Sequence, residues 1–413
     1  TNVGGGVEPV DVKRRPLPFG QFAGQRRQRK PWSFVLPGDE VKQHQAAYTK
    51  SDSWQEARPR ETKDLSQCTP KHNITFLKVH KTGSSTLQNV FLRYGQKHKL
   101  KFVLPPQGHH LGFPSFFGHQ HMLPTDNGVY NIFCHHARFS KVVMEIMPPN
   151  AIYISILRDP VRVFESAFTY FKIDYRLGMT DDKDAMLKFL DNPRSYYSTV
   201  TSQVHLRNNM LFDFGFPTVK FDDIDYINQG IDMIDKQFSL ILIAEYFEES
   251  LILLRDALCW TTEDMIVFKM NSRSQSSIQP LDEDVQRKIR DWNDGDVMLY
   301  KHFNKTLWQK IDAYGRERMA REIEKLKKLT ESYRNLCIQT DSADRKEGAF
   351  DVWQPPGVKI NAFVLKDSAD NNPLCENMIK PEIVYTAQLR EAQFPLLTFR
   401  KFKRNMKRNK KRY

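Results

Sequence analysis

The chain has 413 residues, 40% hydrophobic and 27% charged. That balance excludes a disordered or fibrous chain and leaves room for a large core, in one domain or two plus tails. The formal net charge is +13, but nine of the excess positive charges fall in residues 400–413, which hold no acid. The remainder is only mildly basic. The tail reads as a solvated charge run that lacks the aromatic interleaving of a single-strand platform, so no nucleic-acid partner is expected.

Residues 1–67 are rich in Gly, Pro, Arg, Lys and Gln without periodicity and read as a flexible stalk. The chain does not begin with Met and has no apolar run near the ~20 residues of a membrane helix, so it reads as a trimmed soluble portion. Asn73-Ile74-Thr75 and Asn304-Lys305-Thr306 are glycosylation sequons at Asn73 and Asn304. Five cysteines without a C-x-x-C pair argue against a zinc or thioredoxin-type motif. Cys134 sits in an apolar run and is the expected free thiol. The expected pairings are Cys68–Cys259 and Cys337–Cys375, although sequence does not fix connectivity.

Ile74 to Val79 has the length and composition of a buried strand. It breaks into a turn of small and hydroxyl residues around Gly83. From Ser85 onward Leu87, Val90, Phe91 and Tyr94 mark one helix face. Strand, turn and helix start form a cradle of backbone N–H groups suited to phosphate or sulfate, with Lys81 adding a charge. No Walker sequence is present, and many such units bind nothing.

Residues 97–131 read as irregular loops. Asn131 to His136 reads as a strand whose end carries His135 and His136 on opposite faces, so one of them can enter a cleft. Ala151 to Leu157 is the clearest buried strand. It runs into Arg158, then Asp159 as a helix N-cap and Pro160 as the first helical residue. With a parallel sheet, Arg158 would face the same cleft as Lys81, and Ser166 lies two turns on. Lys183 to Leu190 reads as a short helix stopped by Asn192-Pro193. His205 to Asn209 precedes a phenylalanine-rich run, Leu211 to Phe216, which reads as core or as a wall for a sugar. Ser239 to Ala244 is another strand, leading into a helix over 247–258. Met265 to Phe268 reads as a brief strand, followed by a basic loop carrying Arg273. Residues 281–302 read as two helices broken near Asn293, and 307–336 as one or two long amphipathic helices. The stretch after Gln339 is loop-rich, with one helix around 381–389. The expected division is a stalk over 1–67, a catalytic domain over 68–338, a packed extension over 339–399 and a basic tail over 400–413.

Strands alternating with helices argue for an α/β fold with a parallel sheet. Leu77-Lys78-Val79-His80-Lys81-Thr82-Gly83-Ser84-Ser85-Thr86 resembles the 5′-phosphosulfate-binding motif of Golgi carbohydrate sulfotransferases, in the form used by the galactose 3-O-sulfotransferase family. Ile156-Leu157-Arg158-Asp159-Pro160 through Ser166 resembles that group's 3′-phosphate-binding motif. Cys134-His135-His136-Ala137-Arg138-Phe139, His205-Leu206-Arg207-Asn208 with Phe212-Asp213-Phe214-Gly215, and Phe303 to Trp308 are also similar to that family.

The resemblance implies a P-loop-NTPase-like parallel sheet flanked by helices. It implies sulfate transfer from 3′-phosphoadenosine-5′-phosphosulfate to the 3-hydroxyl of a terminal β-galactose on a glycan acceptor. It also implies a type II membrane protein of the Golgi lumen whose anchor is not in this sequence. By resemblance, Lys78, Lys81, Thr82, Gly83, Ser84, Ser85, Thr86, Arg158, Ser166 and Arg273 would bind the donor, and His205, Arg207 and Asn208 the acceptor. His136 is the expected base, ahead of His80, and Lys81 would act on the leaving group. Both Gly and Ala would serve at position 83, being small. No metal is required. The rivals are a phosphoryl transferase, which lacks its Gly-Lys-[Ser/Thr] here, a uronic-acid 2-O-sulfotransferase, and a glycan-binding protein using the basic tail.

Overall fold

The computed structural model describes residues 68–180, 182–199, 203–268, 281–342, 350 and 362–395. Four parallel strands form its centre: β1 (Ile74–Leu77), β2 (Ile132–Phe133), β3 (Ile152–Leu157) and β4 (Leu240–Ile243), in the order β2-β1-β3-β4. Ile74 pairs with Ile132 on one side and Ile152 on the other, and Ile154 pairs with Leu240. β1, β2 and β4 are wholly buried and apolar or β-branched, as a parallel sheet covered on both faces requires.

Parallel neighbours need crossovers, and helices supply them. After β1 comes α1 (Ser84–Lys97), and after β2 comes α2 (Lys141–Ile146). Between β3 and β4 lie α3 (Pro160–Tyr170), α4 (Ile173–Arg176), α5 (Ala185–Asp191), α6 (Pro193–Tyr197), α7 (Asn209–Asp213) and α8 (Ile224–Gln237). Then follow α9 (Phe247–Leu258), α10 (Glu283–Trp292), α11 (Asp294–Tyr314) and α12 (Arg316–Cys337). An antiparallel hairpin, β5 (Ile338–Ser342) with β6 (Ala362–Leu365), leads to α13 (Pro373–Ile379) and α14 (Glu382–Gln393).

Local chemistry sets the ends that matter. The Asp159 carboxylate accepts the backbone N–H groups of Val161 and Arg162 at 2.9 and 3.2 Å, and Pro160 occupies the first turn, so α3 starts where the sequence placed it. The main core packs on both sheet faces and includes Tyr385 and Leu389 of α14. A second cluster joins α3, α5 and α10 through Phe164, Phe168, Phe189 and Ile289. Cys68 and Cys259 form one disulfide and Cys337 and Cys375 the other, while Cys134 is free and buried, all as expected.

Four expectations are corrected. Met265 to Phe268 is not a strand: a short turn at Glu263–Met265 is followed by extended backbone without a ladder partner, and the Ile266 carbonyl accepts from the Arg93 guanidinium. Ile266 and Phe268 serve a third cluster around Cys337 and Phe363, while Met265 belongs to the main core and Val267 packs against it. The break expected between residues 302 and 307 does not exist, because α11 is continuous and ends at Gly315, whose φ is +91°. Pro193 does not merely stop a helix; it opens α6. The C-terminal stretch holds a hairpin and α13 besides the expected helix.

Candidate active site

In a parallel sheet every strand delivers its exit to the same edge, where open α/β sheets build their sites. The β1 exit is the turn 78–83. Lys81 and Gly83 both take left-handed backbone, with φ of +63° and +79°. The Thr82 and Ser84 hydroxyls donate to the Val79 carbonyl at 3.0 and 2.6 Å, so these side chains fasten the turn from within. Gly83 is exposed, and a Cβ there would meet nothing within 4 Å. Size is therefore not what the position asks for, contrary to the sequence expectation; positive φ is, and Ala would cost about 1–2 kcal/mol. α1 begins at Ser84 with no acid in its first turn, so its N-terminal dipole is unopposed there.

The β3 exit reaches the same place. Arg158 donates through Nη1 to the Lys81 carbonyl at 3.2 Å. The Lys81 ammonium lies 3.4 Å from the ring centroid of Tyr170 on α3. Ser166, buried, precedes Tyr170 by four residues and so shares its helix face. Lys81, Arg158 and the face of α3 bearing Ser166 thus converge on the cradle.

A cluster of imidazoles stands beside it. The His80 ring stacks on His136 with centroids 3.8 Å apart and planes at 15°, and has His205 at 4.7 Å and Phe113 at 4.3 Å. His110 stands edge-on to His136 at 5.5 Å. His136 directs Nδ1 at the Lys78 carbonyl, 2.9 Å away. A carbonyl can only accept, so Nδ1 carries the proton and Nε2 is the basic nitrogen. Burial first, then His80 and Lys78, hold His136 well below its ordinary pKa.

His80 has a different partner. Its backbone N–H donates to Asp213 Oδ2 at 2.7 Å, and its Nδ1 lies 2.9 Å from the same oxygen. Burial pushes the Asp213 carboxyl up to about 8 and drives the His80 imidazole down to about 3. The Asp213 carboxyl thus anchors both the backbone and the ring of His80. His205 accepts no such acid; its Nδ1 lies 2.8 Å from Asn209 Oδ1 and its ring stacks on Phe171 at 4.1 Å.

Three other expected site residues direct their side chains at protein partners. Lys78 is fully buried, its ammonium held by Gln88 Oε1 at 2.7 Å and by Glu382. Arg207 pairs with Asp222 and lies over the Trp292 ring at 4.6 Å, remote in partners from the imidazoles. Asn208 is buried between Asn293 and Asp296, receiving the N–H of the latter and donating its own to the former. Arg273 lies outside the described residues. Of the sequons, Asn73 bonds Asn131 and Asn150 through its amide, and Asn304 lies inside α11.

Sequence reasoning missed Asp213, His110, Phe113 and Glu382. An acid inside the run Phe212-Asp213-Phe214 was a signal for the first, because a buried carboxyl demands partners. The adjacent pair His109-His110 was a weaker one.

A strand–turn–helix anion cradle, a neighbouring strand-tip arginine and a flanking imidazole cluster, on a parallel sheet, define a sulfotransferase fold. The model of the family described as galactose-3-O-sulfotransferase matches residues 41–393. The chain belongs to that family and is a sulfotransferase enzyme. It is 39% identical to human galactosylceramide sulfotransferase over 348 residues, covering 81% of this chain and 82% of the relative. It is 36% identical to mouse galactose-3-O-sulfotransferase 2, covering 80% of this chain and 88% of the relative. With human galactose-3-O-sulfotransferase 4 the identity is 29%, over 80% of this chain and 85% of the relative.

Proposed function

We propose that the protein transfers sulfate from 3′-phosphoadenosine-5′-phosphosulfate to the 3-hydroxyl of a terminal β-galactose on a glycolipid or glycoprotein glycan. The observation that carries this reading is the contact of Arg158 with the Lys81 turn, 3.2 Å apart at the exits of two adjacent strands. Such closeness lets one ligand with two anionic ends touch both. The cradle suits the phosphosulfate end: open space above Gly83, the start of α1, and the Lys81 ammonium. Arg158 and Ser166 take the 3′-phosphate, Arg as a forked donor.

The donor supplies a sulfuryl group already activated on a phosphate anhydride. The residues do the rest. His136 Nε2 takes the proton of the sugar hydroxyl as it attacks sulfur. Lys81 stabilises the charge that develops on the departing bridging oxygen. The rings of His80, His205 and Phe113 give the acceptor a flat, partly polar wall. The scheme needs no metal. Residence in the Golgi lumen as a type II membrane protein belongs to the same reading and rests on the family likeness.

The test is a panel of galactosides incubated with labelled donor, one of them blocked at the 3-hydroxyl. Label is expected on every free terminal galactoside and none on the blocked sugar. Labelling of the blocked sugar contradicts the regiochemistry.

A further inference from the structure

Helix α14 lies 251 to 304 residues along the chain from the segments that its Glu382, Thr386, Arg390 and Gln393 side chains bond. Glu382 pairs with the Lys78 ammonium, and its other oxygen accepts from Gln88 Nε2 at 2.9 Å. Thr386 Oγ1 lies 2.9 Å from His135 Nε2. Arg390 donates to the carbonyls of Pro105, at 2.8 Å, and Gly108, which lead into His109 and His110. Gln393 exchanges two hydrogen bonds of 2.9 Å with the Phe102 backbone. Positions 382, 386, 390 and 393 share one face of a helix.

The contacts to Lys78, His135 and Gly108 bear on segments that hold the imidazole cluster. Lys78 provides the carbonyl that orients His136, and its side chain is clamped by Glu382. His135 is the chain neighbour of His136. The Gly108 segment runs into His110, which pairs in a bridge with His136. We propose that the polar face of α14 is a positioning strap for the His136 base, acting through Glu382 on Lys78 and through Thr386 on His135. This rests on the assignment of His136 under the proposed function. Glu382 and Thr386 touch no reacting atom; they are positioning residues.

The strap also carries a charge balance. Groups facing His136 are His80, His109, His110 and Lys78. Burial pushes the Glu382 carboxyl up, but Lys78, His135 and His109 outweigh it and hold it near 2, so it is an anion. Its charge opposes that of Lys78 beside the cluster. Removing it leaves Lys78 unopposed, and His136 becomes harder to protonate and weaker as a base.

The experiment compares wild type, Glu382→Gln, Thr386→Val and the double variant Lys78→Met/Glu382→Leu. Active enzyme is counted by binding of adenosine 3′,5′-bisphosphate. Per active site, Glu382→Gln is expected to lose roughly tenfold to 10²-fold in kcat, the range for a misplaced catalytic group. Its donor KM is expected to stay within about threefold. The acid limb of its kcat profile is expected to move to lower pH, and the double variant, lacking both charges, to return that limb toward wild type. A Glu382→Gln profile and kcat that overlay wild type, once corrected for active sites, overturn the proposal. Ring-nitrogen NMR shifts of His135 and His136 give a readout without turnover: shifts unchanged in Glu382→Gln and Thr386→Val also overturn it. Failure of the wild type to sulfate galactosides instead overturns the proposed function, and the ring shifts still judge the strap.

Discussion

The His136 and His80 rings stack with centroids 3.8 Å apart, and what distinguishes them is the partner of Nδ1. A backbone carbonyl fixes the proton of His136 on Nδ1 and leaves Nε2 basic. Nδ1 of His80 faces the buried Asp213 carboxyl instead. His136→Ala is therefore expected to lower kcat by roughly 10²–10⁴-fold, the usual contribution of a general base. His80→Gln is expected to lose less, since Asp213 already engages the His80 ring at Nδ1. Steady-state kinetics on both variants decides; the opposite ranking passes the base role to His80. The same contrast explains what the sequence could show of the site. Lys81, Arg158, His80 and His136 follow apolar strands by one or a few residues, so their convergence was readable once the strands were taken as parallel. Arg207 and Asn208 are polar residues beside an aromatic run, and local pattern cannot tell a buried structural pair from a ligand contact. The structure gives Arg207 to Asp222 and Asn208 to the start of α11.

Among elements, those fixed by local signals were legible. β3 is a run of apolar residues with a cap and a proline behind it, and α9 follows β4 as expected. β2 shows the limit: only Ile132 and Phe133 enter the ladder, because β1 offers partners at Ile74 and Thr75 alone. Beyond them the chain through His136 turns to other backbone, with Leu111 donating to the His136 carbonyl at 2.8 Å. That bond is what brings the loop of His110 and Phe113 into the site, and nothing in the loop's own composition announces it. Met265 to Phe268 is apolar because its residues alternate between the main core and a satellite core, not because they enter a ladder. α14 was visible as a helix, but its polar face has meaning only through residues some 250 to 300 positions away.

Over the whole molecule, the site stores protonation free energy. His80, His135 and His205 are held neutral near 3 and His110 near 4, all chiefly by burial, and His136 well below 6.5. These groups have folded pKa values below their unfolded ones, so the unfolded chain binds more protons as pH falls through 6.5. Asp213, near 8, and Asp296, near 7, oppose this, since the folded chain keeps two protons that the unfolded chain releases. Five groups against two leaves stability falling between pH 6.5 and about 4, on the order of 1–4 kcal/mol per pH unit. Denaturant melts at about pH 6.5, 5.5 and 4.5 measure it; a midpoint that rises on acidification over that range contradicts the neutral cluster. The central claim is that the Lys81 turn and Arg158 hold opposite ends of one doubly phosphorylated adenosine. Calorimetric binding of adenosine 3′,5′-bisphosphate and adenosine 5′-monophosphate to wild type, Lys81→Ala and Arg158→Ala tests it most directly. Arg158→Ala is expected to weaken the bisphosphate by roughly 10–100-fold, the worth of a charged hydrogen bond, while leaving the monophosphate nearly unchanged, and Lys81→Ala to weaken both. An Arg158→Ala protein that loses both ligands equally, or neither, contradicts the account.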